Sequence, residues 1–264
     1  MTSIRPALLV SVRTVAEAVA AIEGGCDLLD INEPRRGSLG AADPATMTAI
    51  CEATHRFADR PRISVALGEL AEWYDDRPIP KLPAPIRFAK VGLQGSQDDV
   101  DWPRKWRLLR ERFEAVADRE RDWIAVVYAD QTAGAPAAEA IIEAAATTGC
   151  HGVLVDTFAK DRGCLFDHVA PECVGTWRMR TAAAGLLFAV AGSLRRDDLP
   201  RVAAVHPDVI AVRGAVCQQG DRTGELCRDA VAQLSRVLDE GRHDPSPAVG
   251  LPMAKTACDQ ASPA

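Results

Sequence analysis

Short apolar runs rich in Val, Ile and Leu recur along the chain, and amphipathic or Ala-rich segments separate them. Runs of four to eight such residues are typical of parallel strands that are buried on both faces. We predict eight strands, at Ala7–Val12, Leu28–Asn32, Ile63–Leu67, Phe88–Leu93, Trp123–Asp130, Gly152–Thr157, Gly185–Ala191 and Val209–Val216.

The intervening segments predict helices, and glycines that suit a left-handed cap follow several of them. These helices are Val15–Glu23, Pro44–Phe57, Trp102–Ala117, Ala137–Thr148, Pro171–Ala184, Arg195–Val205 and Glu225–Glu240. Strands that alternate with helices predict an α/β fold with a parallel sheet. Eight such units in 264 residues favour a single closed (β/α)8 TIM barrel over an open doubly wound sheet.

The pattern contains no internal domain boundary. We predict that the barrel occupies residues 1–241 and that the Pro/Ala-rich segment 242–264 is a flexible C-terminal tail. The stretch Glu69–Pro85 contains four prolines, which predicts a loop and a candidate flap over the barrel mouth.

Alternation along the predicted strands places several charged residues inside the barrel, because successive side chains point to opposite faces. On the fourth strand Ala89, Val91 and Leu93 form the outward set, so Lys90 faces inward. An ammonium in a barrel interior is costly unless it is paired, and burial favours its neutral form. Lys90 is therefore a candidate for proton transfer or amine attack.

The same alternation applies to four other strands. It turns Asp30 and Asn32 inward on the second strand and Asp156 inward on the sixth, with Lys160 in the following loop. The remaining inward positions are Tyr128 and Asp130 on the fifth strand and Arg213 on the eighth. Charged residues therefore gather at the C-terminal ends of several strands, where barrel active sites lie. The alternative is that these charges only pair with one another.

A phosphate site is predicted near the ends of strands seven and eight, where this fold commonly binds phosphate. Gly192 and Gly214 would let backbone N–H groups approach an anion, and Arg213 would offer a bidentate fork. Ser193 is expected to cap the next helix. Arg36 and Ser38, in a Gly-containing segment after strand two, are candidate substrate-gripping residues. Ordinary glycine turns and a solvated arginine pair remain the alternatives.

Charge and composition narrow the class of function. The formal charge of −6 argues against a nucleic-acid-binding surface. No apolar run is long enough for a membrane span or a signal peptide, so we expect a cytoplasmic protein. The eight cysteines contain no CxxC pair and the five histidines no HExxH spacing, so we predict no metal and no cofactor. Only five of the 31 basic residues are lysines, which draws attention to each amine.

Several motifs in series resemble the (5-formylfuran-3-yl)methyl phosphate synthase family. They are Asp27–Ala41, Ala89–Leu93, Tyr128–Asp130, Val155–Thr157 with Lys160, Leu165–Asp167, Ala191–Ser193, and Val212–Ala215 with Gly220–Arg222, and the similarity spans roughly residues 7 to 238.

The resemblance implies a barrel lyase of methanofuran biosynthesis that joins two molecules of glyceraldehyde 3-phosphate, with loss of phosphate and water. It implies a lysine Schiff base, with Lys90, Asp156 and Lys160 at active-site positions and the two glycine turns as phosphate grips. Asp30 and Asp130 are further candidate substrate-binding residues. The sequence leaves open whether the chain forms a homo-oligomer.

One position departs from the family pattern. In the motif Asp-x-Lys-x-Pro the lysine expected to form the Schiff base is Asn32 here, and an amide cannot form an imine with a carbonyl substrate. Three explanations stand open. The chain is a catalytically impaired phosphosugar-binding variant, or Lys90 or Lys160 has the covalent role, or Asn32 polarises the carbonyl by hydrogen bonding. Another aldolase-like phosphosugar enzyme is a further alternative.

Overall fold

The computed structural model describes residues 5–74 and 77–240, and its eight parallel strands close into a barrel in sequence order. The predicted TIM barrel is therefore confirmed. The strands are β1 (Ala7–Val12), β2 (Leu28–Ile31), β3 (Arg62–Glu69), β4 (Ile86–Gly92), β5 (Asp122–Tyr128), β6 (Gly152–Asp156), β7 (Leu187–Val190) and β8 (Val209–Val212). The predicted tail falls outside the described residues.

Helices cover the outside of the barrel. They are α1 (Val15–Glu23), α2 (Pro44–Thr54), α3 (Trp102–Ala115), α4 (Ala138–Thr147), α5 (Leu165–His168), α6 (Pro171–Ala183), α7 (Leu199–Ala204) and α8 (Arg228–Glu240). Gly25 and Gly149, just past α1 and α4, have φ values of 86° and 72°, the left-handed conformation that glycine permits without strain. The single turn of α5 was not predicted.

The two faces of the strands form two separate apolar layers. Outward residues such as Leu29, Ala89 and Val155 belong to the large core between sheet and helices. Inward residues such as Val126, Leu154 and Ala211 form a smaller cluster inside the barrel. The inward and outward positions predicted from strand alternation are those observed, so polar residues at inward positions near the strand ends face a common space.

The connection between β3 and β4 differs from the prediction of a flap over the mouth. Its described residues form a 3-10 helix, Leu70–Trp73, and then an irregular segment whose Leu82 is buried. The Trp73 indole donates to the Leu67 carbonyl (2.8 Å), and the Arg121 guanidinium donates to the Leu82 carbonyl (3.2 Å). The segment takes the place of a helix on the outer layer because it must bury these apolar side chains while returning to the start of β4.

No helix among the described residues is long and apolar enough to cross a membrane. Six cysteines in the described part of the chain are free thiols: Cys26, Cys51, Cys150, Cys164, Cys217 and Cys227. Burial raises the pKa of the Cys26 thiol to about 12, with a further contribution from Asp27, so this thiol stays protonated and unreactive near neutral pH.

Candidate active site

A cavity of about 670 Å³ opens at the C-terminal ends of the strands. Six cationic side chains and three carboxylates line it, although the whole chain carries a formal charge of −6. The cavity is therefore a locally positive site suited to a small anion. Ten of the twelve predicted site residues line it: Asp30, Asn32, Ser38, Lys90, Asp156, Lys160, Gly192, Ser193, Arg213 and Gly214.

Lys90 and Asp30 form an ion pair at the bottom of this cavity. Their side chains are 4% and 3% exposed, and the Lys90 Nζ contacts Asp30 Oδ1. The ammonium also donates to the Ser64 hydroxyl (3.1 Å), and the Ser11 hydroxyl donates to Asp30 Oδ2 (3.0 Å). Four neighbouring strands thus satisfy one buried charge pair, which is the condition under which such a pair is tolerated.

A second lysine–aspartate pair lies at the end of β6. The Lys160 Nζ is 2.5 Å from Asp156 Oδ1, which also accepts the Thr157 N–H (2.8 Å). Burial lowers the pKa of Lys160, and the adjacent Asp156 carboxylate offsets only part of that effect. Lys160 therefore gives up its proton more readily than an exposed lysine, which suits it to proton exchange.

Asn32 and Ser38 connect β2 to the second pair. The Asn32 amide donates to the Ser38 carbonyl (2.9 Å), and its buried Oδ1 atom has no partner among the described residues. The Ser38 hydroxyl lies 3.4 Å from Asp156 Oδ2 and 3.0 Å from the Thr157 carbonyl. Asn32 thus combines a place in the cavity lining with a buried acceptor that has no protein partner among the described residues.

Asp130, predicted to bind substrate, instead holds the loop that carries Lys160. Its carboxylate accepts the Phe158 and Ala159 N–H groups (2.5 and 3.0 Å) and the Thr132 hydroxyl. Burial alone would raise the pKa of Asp130, but these hydrogen bonds outweigh it and lower the pKa. The carboxylate stays ionised and orients the loop after β6.

The two glycine turns line the cavity as predicted. Gly192 has φ of 100°, and a Cβ atom there would lie 3.1 Å from side-chain atoms of both Leu165 and Thr157. The predicted cap at Ser193 is wrong: its hydroxyl donates to the Lys160 carbonyl (3.3 Å), and Asp198 instead accepts the Arg195 N–H (2.8 Å). Ser193 has φ of 48°, so the left-handed turn directs its side chain toward the Lys160 loop.

The predicted phosphate fork at Arg213 is occupied within the protein. Its guanidinium binds both carboxylate oxygens of Glu17 (2.9 and 3.1 Å) and the carbonyls of Ser11, Arg222 and Gly224. All five N–H donors of an arginine are thereby used. Because Glu17 comes from α1, far away in sequence, strand alternation alone could not show this pairing. Arg213 joins the first and last strands of the barrel and leaves no free fork for phosphate.

Arg222 belongs to the motif Gly220–Arg222, and the sequence assigned it no role. It lines the cavity, and its guanidinium donates a long hydrogen bond to the Gly37 carbonyl (3.4 Å). Burial lowers its pKa, and Asp156 acts in the opposite direction. The predicted Arg36 lies elsewhere, since it is exposed and donates to the Ala41 carbonyl (2.8 Å).

Within the described ranges, no group of three or more His, Cys, Asp or Glu residues is arranged to hold a metal ion. Amines, carboxylates and backbone donors line the cavity.

The chain is similar to known proteins over most of its length. The family model described as 4-HFC-P synthase matches residues 8–235. A protein of Methanococcus maripaludis is 34% identical over 243 residues, covering 88% of this chain and 99% of its own, and one of Methanopyrus kandleri is 33% identical, covering 89% and 99%. One of Methanocaldococcus jannaschii is 32% identical, covering 87% and 98%. All three bear the name (5-formylfuran-3-yl)methyl phosphate synthase.

Solved structures share the barrel at much lower identity. Thiamine phosphate pyrophosphorylase from Pyrococcus furiosus has a TM-score of 0.55 at 14% identity, covering 89% of this chain and 96% of its own. Phosphoribosyl anthranilate isomerase from Thermus thermophilus has a TM-score of 0.54 at 14% identity, covering 89% and 99%. At these identities the likeness shows the fold alone.

Proposed function

The chain belongs to the 4-HFC-P synthase family, and from this premise we propose that it joins two molecules of glyceraldehyde 3-phosphate into (5-formylfuran-3-yl)methyl phosphate. The reaction loses one phosphate and water and supplies methanofuran biosynthesis. The observation that carries the proposal is the convergence of two lysine–aspartate pairs on one locally positive cavity. Enolisation, C–C bond formation and eliminations each need proton transfers beside a stabilised negative charge.

The two pairs differ in burial, and we assign them different roles. Lys160, 14% exposed, lies with Asp156 at the rim, where the pair exchanges protons with the substrate. Lys90, 4% exposed, lies deeper and is held by Asp30, so it stabilises enolate or carbonyl oxygen charge that develops near the barrel axis. Separate environments allow one pocket to carry out several proton transfers in order.

Arg222, rather than Arg213, is assigned to the substrate phosphate, together with the backbone at Gly192 and Gly214. We expect Arg222→Met to raise KM for glyceraldehyde 3-phosphate by roughly tenfold or more with a smaller change in kcat, because one charge-assisted hydrogen bond is lost. Steady-state kinetics measure this, with the exposed Arg236→Met on α8 as the matched control. Arg213→Met should instead lower stability, because the buried Glu17 would keep only Arg13 as a cationic partner. An unchanged KM in Arg222→Met would refute the assignment.

The assay for the proposed activity follows product directly. Purified full-length protein with glyceraldehyde 3-phosphate should release inorganic phosphate and accumulate an ultraviolet-absorbing furan aldehyde in equal amounts. Borohydride added during turnover should trap a substrate adduct on Lys90 or Lys160 if either amine forms the imine. A folded sample that yields neither phosphate nor furan aldehyde contradicts the proposal.

Asn32 favours a second candidate, a barrel that binds phosphosugars with impaired catalysis. It lines the cavity where the family pattern has the Schiff-base lysine, and its amide cannot take that role. In that case the protein binds glyceraldehyde 3-phosphate without turnover, and Asn32→Lys creates the missing activity. Turnover by the unaltered chain excludes this candidate.

A further inference from the structure

A carboxylate outside the predicted site lies behind it, at the end of β3. Glu69 Oε1 is 2.5 Å from the Tyr128 hydroxyl, and Oε2 accepts the Gln94 N–H (2.9 Å). The strand register shifts between Ala66 and Glu69, and Gly68 there has φ of 82°. This irregularity reverses the alternation of β3 and turns Glu69 toward β4 and β5.

The neighbouring strand makes room for this side chain. Gly92 pairs with Glu69, and a Cβ atom at position 92 would lie 2.0 Å from Glu69 Oε2. Any side chain at that position would displace the carboxylate, since contacts this short do not occur between real atoms. The Glu69 carboxylate is therefore held in one position by Gly92, the Gln94 N–H and Tyr128.

Two hydroxyls connect Glu69 to the catalytic pair. The Tyr128 hydroxyl is bound to Glu69, and hydrogen bonding by the Ser38 side chain acts to lower the pKa of the same hydroxyl. The Ser38 hydroxyl in turn lies 3.4 Å from Asp156 Oδ2, and Asp156 Oδ1 binds Lys160. Ser38 lines the cavity, whereas Glu69 lies outside the cavity lining and is half-buried, so its side chain is partly exposed to solvent. These groups link the cavity to a partly exposed carboxylate.

We infer that Glu69 is a positioning residue that resets Asp156 by receiving its proton through Ser38 and Tyr128, an inference that rests on the proposed function. Asp156, protonated after it takes a proton from substrate, passes it to the Ser38 oxygen. Ser38 gives its own proton to Tyr128, and Tyr128 gives its own to Glu69. Asp156 is again a carboxylate, both hydroxyls are restored, Glu69 is neutral, and it then releases the proton to water.

The electrostatics around Glu69 suit an acceptor of this kind. Burial raises its pKa, as do the nearby Glu72 and Asp156 carboxylates, while the hydrogen bonds from Tyr128 and the Gln94 N–H only partly oppose this. Burial, together with Glu69 and Asp156, raises the pKa of Tyr128 well above its usual value, so the phenol stays protonated and relays without ionising. A reaction that removes carbon-bound protons more than once needs such a return to the basic form.

Glu69→Gln tests the inference because the amide keeps the size and can still accept from Tyr128 but cannot take up a proton. We expect kcat for furan aldehyde to fall about ten- to a hundredfold, at or below the lower end of the range for groups that exchange protons directly with substrate, with KM unchanged. The acid limb of the kcat profile should move to lower pH, since the carboxyl with the raised pKa is gone. Tyr128→Phe should reproduce the loss, and the double variant should lose no more. The exposed Glu52→Gln on α2 is the matched control.

A loss of kcat without movement of the acid limb would identify Glu69 as a structural group only and overturn the inference. If the unaltered chain yields no furan aldehyde, the proposed function fails, and carbon-13 NMR titration of the Glu69 carboxyl still tests the connection. Asp156→Asn should then lower the pKa of Glu69 and leave that of Glu52 in place, because a neighbouring negative charge is removed. If Asp156→Asn leaves the pKa of Glu69 unchanged, the proposed connection between the two carboxyl groups is excluded.

Discussion

Lys160→Met should lower kcat/KM for glyceraldehyde 3-phosphate by about a thousandfold, the middle of the range for loss of a positioned acid–base group. Methionine keeps the length and apolar character of the stem but removes the amine that lies 2.5 Å from Asp156. The loss should be mainly in kcat, because the phosphate contacts lie on other loops. Initial rates of phosphate release and furan aldehyde formation measure it.

The control for this variant is Lys81→Met, since Lys81 pairs with Asp118 on the outer layer and is 59% exposed. Adding Asp156→Asn to Lys160→Met should cost little more, because groups that act as one unit are not additive. The unaltered enzyme should also have an alkaline limb in kcat/KM below the usual range of lysine, since burial lowers the pKa of Lys160. Activity of Lys160→Met within threefold of the parent would remove the lysine from the mechanism.

The barrel and its polar interior were accessible from sequence because they depend on local alternation. The bounds predicted for the first strand and helix coincide with β1 and α1, where apolar periodicity changes abruptly from two to 3.6 residues. The inward positions of Lys90 and Asp156 follow because alternation is regular from Phe88 to Val91 and from Gly152 to Asp156; the irregularity of β4 lies earlier, between Ile86 and Phe88. Here the local pattern determines which face a side chain occupies.

Features that depend on contacts between residues far apart in the chain could not be predicted from the sequence. Nothing near Arg213 in sequence shows that Glu17 of α1 occupies its guanidinium, so the sequence could not show that Arg213 has no donor left for a phosphate. Glu69 was missed because the third strand was predicted to end at Leu67, before the irregularity at Gly68 that turns Glu69 inward. A glycine at the end of an apolar run indicates that the strand register can shift there. It does not show to which face the following side chain turns.

The second large effect concerns stability. Lys90→Met should lower the free energy of unfolding by about 3–5 kcal/mol, the usual cost of removing one partner of a buried ion pair. The Asp30 carboxylate, 3% exposed, would keep only the Ser11 hydroxyl of its present side-chain partners. Urea denaturation at neutral pH, followed by circular dichroism, measures the change as a lower midpoint at constant slope.

Two further variants separate charge from packing in this effect. Lys90→Met with Asp30→Asn should recover much of the lost stability, because the remaining amide is neutral and still bonds Ser11. The double variant should nevertheless stay catalytically impaired, since the ammonium at position 90 that is proposed to stabilise developing oxygen charge is absent. Lys105→Met, at the more exposed pair with Asp99, should change stability far less. If Lys90→Met denatures at the parental midpoint, the Lys90–Asp30 pair does not contribute to the stability of the fold.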